Sequence, residues 1–220
     1  MTWEVVRLVE QAGAFHARPV PEPSTRAVWV CEPTAPALVL GSAQPESVVD
    51  QAACARAGVE VVRRRSGGGA VLVVPGDLLW LDVVVPVGDE LWQPDVGRAF
   101  HWLGRCWQGA LADLGVATAV HTGGLLRSRW SDLVCFAGLG PGELRAASGA
   151  KVLGVSQRRT RAAARFQCAL LGRWDPGALI GLLALDPTDR AAASVELGAV
   201  AAGAGVALDA ALDAFLRHLP

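Results

Sequence analysis

Lysine is almost missing from this 220-residue chain. Of its 20 lysine and arginine residues, Lys151 is the one lysine. Arginine cannot in practice be deprotonated, whereas a lysine amine can be desolvated and its pKa lowered. A reaction that needs a titratable amine or a compact point charge therefore has one candidate; a solvated loop lysine is the plainer alternative. Cysteines are few and odd in number: Cys31, Cys54, Cys106, Cys135 and Cys168, with no C-x-x-C pair. That spacing argues against a zinc site and against a disulfide framework, so no metal is expected. Free cysteines are usually buried and behave as small apolar residues. Every long apolar run is broken by Pro, Gly or a charge before it could span a bilayer. The opening MTWEVVRLVEQ lacks the basic and apolar regions of a signal peptide. The expectation is a cytoplasmic protein with no membrane partner. A net charge of −1 gives no general surface for nucleic acid.

Apolar residues are abundant, at 52%, which excludes a disordered chain. The length suits one domain with a sizeable core, taken as 1–220. Short β-branched runs dominate: Trp3 to Val9, Val28 to Cys31, Ala37 to Leu40 and Val59 to Val62 read as strands. Ala70 to Val74 and Leu78 to Val85 flank Pro75-Gly76-Asp77, which reads as a hairpin. Val116 to Val120, Leu133 to Phe136, Glu143 to Ala146, Lys151 to Gln157 and Arg165 to Leu171 continue the series. Residues 13–27 read as a Pro-rich loop. Helices are expected over Ser47 to Ala57, with Ser47 as N-cap, and over Asp95 to Leu114, closed by Gly115. A short helix opens at Asp175-Pro176 and runs to about Leu185, and a last one holds Leu208, Leu212, Phe215 and Leu216. Hairpin-spaced strands with few helices between them predict an α+β fold: a mixed, largely antiparallel sheet with helices on one face.

Two stretches carry chemistry. In Arg63-Arg64-Arg65-Ser66-Gly67-Gly68-Gly69 the glycines let a backbone approach a ligand, and the arginines suit phosphate or carboxylate. It is not a P-loop, since no G-K-[ST] is present. A plain glycine-rich turn with solvated arginines is equally open. The second stretch runs from Cys135 to Arg161 and contains Lys151. An ammonium beside a thiol favours the thiolate, and the amine can then move a proton as an acyl group transfers. A buried strand cysteine is the alternative for Cys135, and Cys168 reads as core. His16, His101, His121 and His218 lie away from these motifs in sequence and read as surface or helix residues.

Taken together, these stretches resemble the biotin/lipoate protein ligase and octanoyltransferase family. RRRSGGGAV at 63–71 looks like the family's glycine loop. SGAKVLGVSQRR at 148–159 is similar to its lysine segment, with Lys151 on the family lysine. LVLGSAQ, ending at Gln44, and Trp130-Ser131-Asp132-Leu133 resemble two further elements. Cys135-Phe136, Glu143 and Lys151 fall as in the cysteine–lysine octanoyltransferases. The likeness covers about 28–216. Departures are Val73-Val74 where the family has His-Asp, Val155 within the lysine segment, and Gln167-Cys168-Ala169 in place of Q-H-G.

The resemblance implies the biotin/lipoate ligase fold, akin to class II aminoacyl-tRNA synthetases. It implies an acyltransferase that moves an octanoyl or lipoyl group from acyl carrier protein, through Cys135, to a lysine of a lipoyl domain. Acceptors of that kind are the glycine cleavage H protein and dehydrogenase E2. Lys151 and Cys135 would be catalytic, and Arg64, Arg65, Ser66, Gly67, Gly68, Gly69, Ala70 and Gly154 would bind substrate, with the glycine N–H groups lining the acyl tunnel. No cofactor is then needed. The alternative is an ATP-dependent lipoate–protein ligase, using ATP and Mg2+, with an arginine on phosphate and Asp132 or Asp77 near the metal. A third reading is a binding protein of the same fold without turnover.

Overall fold

The strand at the centre of the molecule shows how the layers form. β6 (Leu78–Pro86) is buried from Leu78 through Val85, and its side chains alternate between two cores. Leu79, Leu81, Val83 and Val85 face one cluster; Leu78, Trp80 and Val84 face the other. A strand covered on both faces reads as a continuous apolar run. The computed structural model describes residues 2–22 and 24–220.

Around β6 lies a seven-stranded sheet in the order β1-β2-β6-β10-β9-β8-β7. Its other members are β1 (Glu4–Glu10), β2 (Ala27–Pro33), β7 (Thr118–Val120), β8 (Leu144–Ala146), β9 (Lys151–Arg159) and β10 (Ala163–Leu171). All neighbours are antiparallel except β1 and β2. A second sheet of three strands has β3 (Ala37–Leu40) between β4 (Glu60–Arg63) and β5 (Val71–Val73). Helix α3 (His101–Asp113) and helix α6 (Leu208–Arg217) cover one face of the large sheet, with Trp107 stacked on Phe215 at 4.2 Å between centroids. The other face meets α1 (Ala12–Ala17) and the small sheet through Phe15, Trp80, Val39 and Val73. Helices α2 (Gln51–Ala57), α4 (Pro176–Ile180) and α5 (Pro187–Glu196) enclose a third cluster behind the small sheet.

Several local expectations need correction. The run 70–85 is not a hairpin: β5 pairs with β3 and β6 with β2 and β10, so the Pro75-Gly76 turn passes the chain between sheets. Residues 12–17 form a helix that overlaps the stretch 13–27 read as loop. The first middle helix is capped by Asp50, whose carboxylate accepts from Ala53 N at 2.8 Å, and Ser47 lies in a separate 3-10 turn. The helix expected from Asp95 begins at His101, after a 3-10 turn. Helix α5 was not anticipated; Asp186 caps it and Pro187 occupies its first turn. Residues 135–137 are a 3-10 turn, not a strand.

The glycine loop is seated by backbone contact. A Cβ on Gly41 would lie 1.8 Å from Gly68 O, and one on Gly69 2.5 Å from Val134 N. Neither obstacle is a flexible side-chain end, so Gly41→Ala must displace the loop. The expected loss is about 1–3 kcal/mol, the usual cost of overpacking, read from urea unfolding; an unchanged midpoint would show that the loop yields freely.

Candidate active site

Cys135 reaches its place through the glycine loop. Ala70 N donates to Leu133 O at 2.8 Å, and Cys135 N donates to Ala70 O at 3.0 Å. Gln44 braces the same segment, accepting from Gly41 N at 2.9 Å and donating to Asp132 O at 3.0 Å and Leu133 O at 3.1 Å. The resulting turn leaves Cys135 half-buried, beside Gly68: a Cβ built there would lie 3.6 Å from Cys135 Sγ. Gly68 has φ +97°, a conformation open to glycine and strained for other residues.

Lys151 opens β9 and is 3% exposed. Its ammonium lies 2.6 Å from Glu143 Oε2 and donates to Gly138 O at 2.9 Å and to Cys135 O at 3.2 Å. The Phe136 ring centroid is 5.0 Å away. Three donors thus meet three acceptors, which is how a buried ammonium is tolerated. Glu143 is equally occupied, accepting from Gly140 N at 2.6 Å and Val155 N at 3.1 Å. The pair therefore ties the Cys135 turn to β8 and β9. The lysine holds the carbonyl of the cysteine residue.

Two cavities meet at this point. A more polar cleft of about 510 Å³ is bordered by Gly67, Gly68, Gly69, Asp132, Glu143 and Lys151. A mainly apolar pocket of about 60 Å³ runs between the two sheets past Val39, Val73, Leu78, Trp80 and Gly154. Cys135, Val155 and Ser156 line both. Burial pushes the Cys106 thiol up to about 11 and drives those of Cys31, Cys54 and Cys168 upward as well. Cys168 lines the apolar pocket, but as a buried core residue.

The remaining predicted residues are distributed unevenly. Gly67 to Gly69 border the cleft, not the apolar tunnel expected for them. Arg64 is 5% exposed and turns inward, donating to Val39 O, Gly67 O and Gly69 O at 2.8 to 3.4 Å. It braces the loop with the donors that were expected to meet an anion. Arg65 is exposed and lines neither cavity. Ser66 Oγ lies 3.0 Å from Ser156 Oγ, joining the loop to β9. Ala70 is fully buried and borders a separate cavity, together with Asp77. Asp132 is at the cleft rim, paired with Arg127 at 2.9 Å. Asp132 and Asp77, the alternatives for a position near magnesium, therefore border different cavities. Among the described residues no group of three His, Cys, Asp or Glu side chains is placed to hold a metal.

Sequence reasoning missed His16. It is 9% exposed, lines the apolar pocket and faces Gln167 across 151 positions of sequence. No linear spacing could reveal that pair. It also left Gln44 and Glu143 without a physical role, although both stand at positions of the resemblance.

The sequence profile of the lipoyl protein ligase A/B catalytic domain matches residues 9–201. The chain belongs to this family. It is therefore an enzyme domain of lipoyl-group attachment. Solved structures agree in fold. A bipartite lipoate protein ligase described with its E2 lipoyl domain, from Thermoplasma acidophilum, superposes with a TM-score of 0.76 at 17% identity, over 99% of this chain and 82% of that one. A lipoate-protein ligase A bound with ATP gives 0.70 at 17% identity, over 99% and 84%. P. falciparum LipL1 in complex with lipoate gives 0.66 at 10% identity, over 99% and 61%. At such identities the likeness establishes the fold. No curated protein matches the sequence significantly. No helix among the described residues is long and apolar enough to cross a membrane.

Proposed function

We propose that this lipoyl-attachment domain, with 1–220 acting as one catalytic unit, works as an acyltransferase through Cys135. The observation that carries the reading is that Cys135 stands where the apolar pocket opens into the polar cleft. An acyl chain in the pocket would place its carbonyl at that thiol. The cleft, at about 510 Å³, falls within the range of about 300–1,000 Å³ usual for small-molecule sites, and the apolar pocket is a narrow extension of about 60 Å³.

In the first step the Cys135 sulfur attacks the thioester carbonyl of an octanoyl or lipoyl carrier protein. A new sulfur–acyl bond forms, and the carrier thiol leaves with a proton. In the second step the ε-amine of a lipoyl-domain lysine attacks the acyl-cysteine. An amide forms, the amine's proton is lost, and the Cys135 thiol is regenerated. The longest of the Lys151 contacts, 3.2 Å to Cys135 O, is the one that can be exchanged for the acyl oxygen. Lys151 then holds that oxygen and passes the proton. The N–H groups of Gly67, Gly68 and Gly69 border the same cleft and have no acceptor among the described residues. They can meet the oxyanion as it develops.

An ATP-dependent ligase is the second reading, favoured by the size of the cleft and by the similar fold of an ATP-bound ligase. Against it stands the inward-facing Arg64, whose donors are taken by loop carbonyls. The test offers octanoyl carrier protein, or octanoate with ATP and Mg2+, to the protein and a lipoyl domain. The transferase reading expects acylated lipoyl domain with the first donor, and an octanoyl adduct on Cys135 by intact mass. Product with the second donor alone, or bound acyl group with no product from either, would replace it.

A further inference from the structure

One arginine of this chain is half-buried with nothing to neutralise it. Arg18, Arg26, Arg64, Arg159, Arg165 and Arg190, the other arginines that are not exposed, each donate to a carboxylate or a carbonyl. The Arg158 guanidinium meets neither among the described residues. Arg158 stands on β9 two positions beyond Ser156, on the same face of the strand. Its partner across the ladder is another cation, Arg165. The carboxylate at that place, Asp82, is taken by Arg165, whose other donors go to Phe15 O and Arg18 O. Burial, with the charges of Arg65 and Arg165 nearby, holds the Arg158 pKa below the usual arginine value. A guanidinium nevertheless keeps its proton at neutral pH. The charge therefore stays, and it lacks a counter-ion within the chain, which costs free energy until an anion completes the pair.

The position of this charge is set by the reaction cleft. Ser156 lines the cleft together with Cys135 and Lys151. Arg158 follows about 7 Å further along the strand. Ser66 Oγ meets Ser156 Oγ at 3.0 Å, which brings the head of the glycine loop to the same stretch of β9. Arg65, next to Ser66, is exposed and has no acceptor of its own among the described residues. Two arginine forks beside one another suit a phosphate, which accepts paired N–H donors.

We infer that Arg158 and Arg65 bind the phosphate of the acyl donor, the ester at the far end of a pantetheine arm whose thioester lies at Cys135. Such a donor carries its reacting carbonyl and its only charge at opposite ends of an uncharged arm. The protein presents the complementary groups in that order: the thiol and Lys151 inside the cleft, Ser156 at its wall, and the two free cations beyond. A carrier protein's prosthetic arm and coenzyme A both supply this phosphate. The inference rests on the acyl-transfer reading above and names what that site recognises on the donor besides the acyl chain.

The test loads the full chain from octanoyl-pantetheine and from octanoyl-phosphopantetheine, which differ in the phosphate alone, and follows the acyl-protein by intact mass. The wild-type protein should load from the phosphorylated donor about tenfold faster or more at low concentration, the effect of one charge-assisted hydrogen bond. Arg158→Gln should cut that ratio by about tenfold, and Arg158→Lys, which keeps a charge, should retain part of it. Arg105→Gln removes an exposed arginine of α3, on the other face of the sheet, and should leave the ratio whole. Octanoyl carrier protein and octanoyl-coenzyme A, offered side by side, identify the source of the phosphate, and a sensitivity of either to Arg158→Gln supports the inference. Calorimetry of the wild type with phosphopantetheine, pantetheine and ATP needs no variant to fold. Equal loading from the two small donors, a ratio unchanged in Arg158→Gln, or tighter binding of ATP than of phosphopantetheine overturns the inference and leaves Cys135 loading to be judged by itself. If no thioester loads the protein, the acyl-transfer reading fails, and the inference with it.

Discussion

Cys135→Ser should abolish transfer from a thioester donor, by about three orders of magnitude or more, and should remove the acyl-protein adduct. Serine is nearly isosteric and keeps the turn, because the bonds that seat this residue are backbone bonds: Cys135 N to Ala70 O and Lys151 Nζ to Cys135 O. The loss should therefore fall on chemistry and not on folding. A hydroxyl has no accessible anion near neutral pH and needs a strong neighbouring base, while the Lys151 ammonium is already bound to Glu143 at 2.6 Å. If the enzyme instead proceeded through an acyl-adenylate, the same variant would keep nearly full activity with octanoate and ATP. Alkylation gives an independent reading. Iodoacetamide should label Cys135 first, since burial pushes the thiols of Cys31, Cys54, Cys106 and Cys168 upward. Full transfer by Cys135→Ser, or faster labelling at any other cysteine, would sink the nucleophile assignment.

Lys151→Arg should fold and yet lose about two to four orders of magnitude in transfer rate, the usual contribution of a general acid–base. Arginine preserves the positive charge, so Glu143 keeps a counter-ion. Removing the charge altogether would strand a buried carboxylate, at a cost of about 3–5 kcal/mol, and would confuse stability with catalysis. Arginine cannot exchange a proton and is bulkier. The space is tight: a Cβ on Gly154 would lie 3.5 Å from Lys151 Cε and 3.3 Å from the Phe136 ring. Circular dichroism and a urea midpoint establish the fold, and single-turnover transfer measures the rate. Normal turnover by a folded Lys151→Arg protein would show that the amine positions Cys135 and does not move a proton.

Much of the frame was readable from local pattern. The short runs at 37–40, 144–146 and 151–159 became strands at or near the expected limits, because alternation of side chains is a property of neighbouring residues. Gly115, with φ +79°, ended α3 as a glycine after a helix does. The family was legible too, since the glycine loop and the lysine segment each carry it in contiguous residues.

Sequence by itself determined which side chains could do chemistry: one lysine, and a cysteine at the head of the glycine-rich segment that leads to it. It also determined that strands outnumber helices. Tertiary structure decided everything that depends on contacts across the chain. It sent β5 and β6 to different sheets, because pairing is settled by which edge is free and not by the turn between two strands. It turned Arg64 inward onto the loop carbonyls, since a buried guanidinium must find acceptors and those were closest. It moved Glu143 from a spacing to the counter-ion of Lys151. It brought His16 into the wall of the pocket through a hydrogen bond spanning 151 positions. A buried donor or charge must find its partner wherever the fold supplies one, and a linear pattern holds no record of that choice.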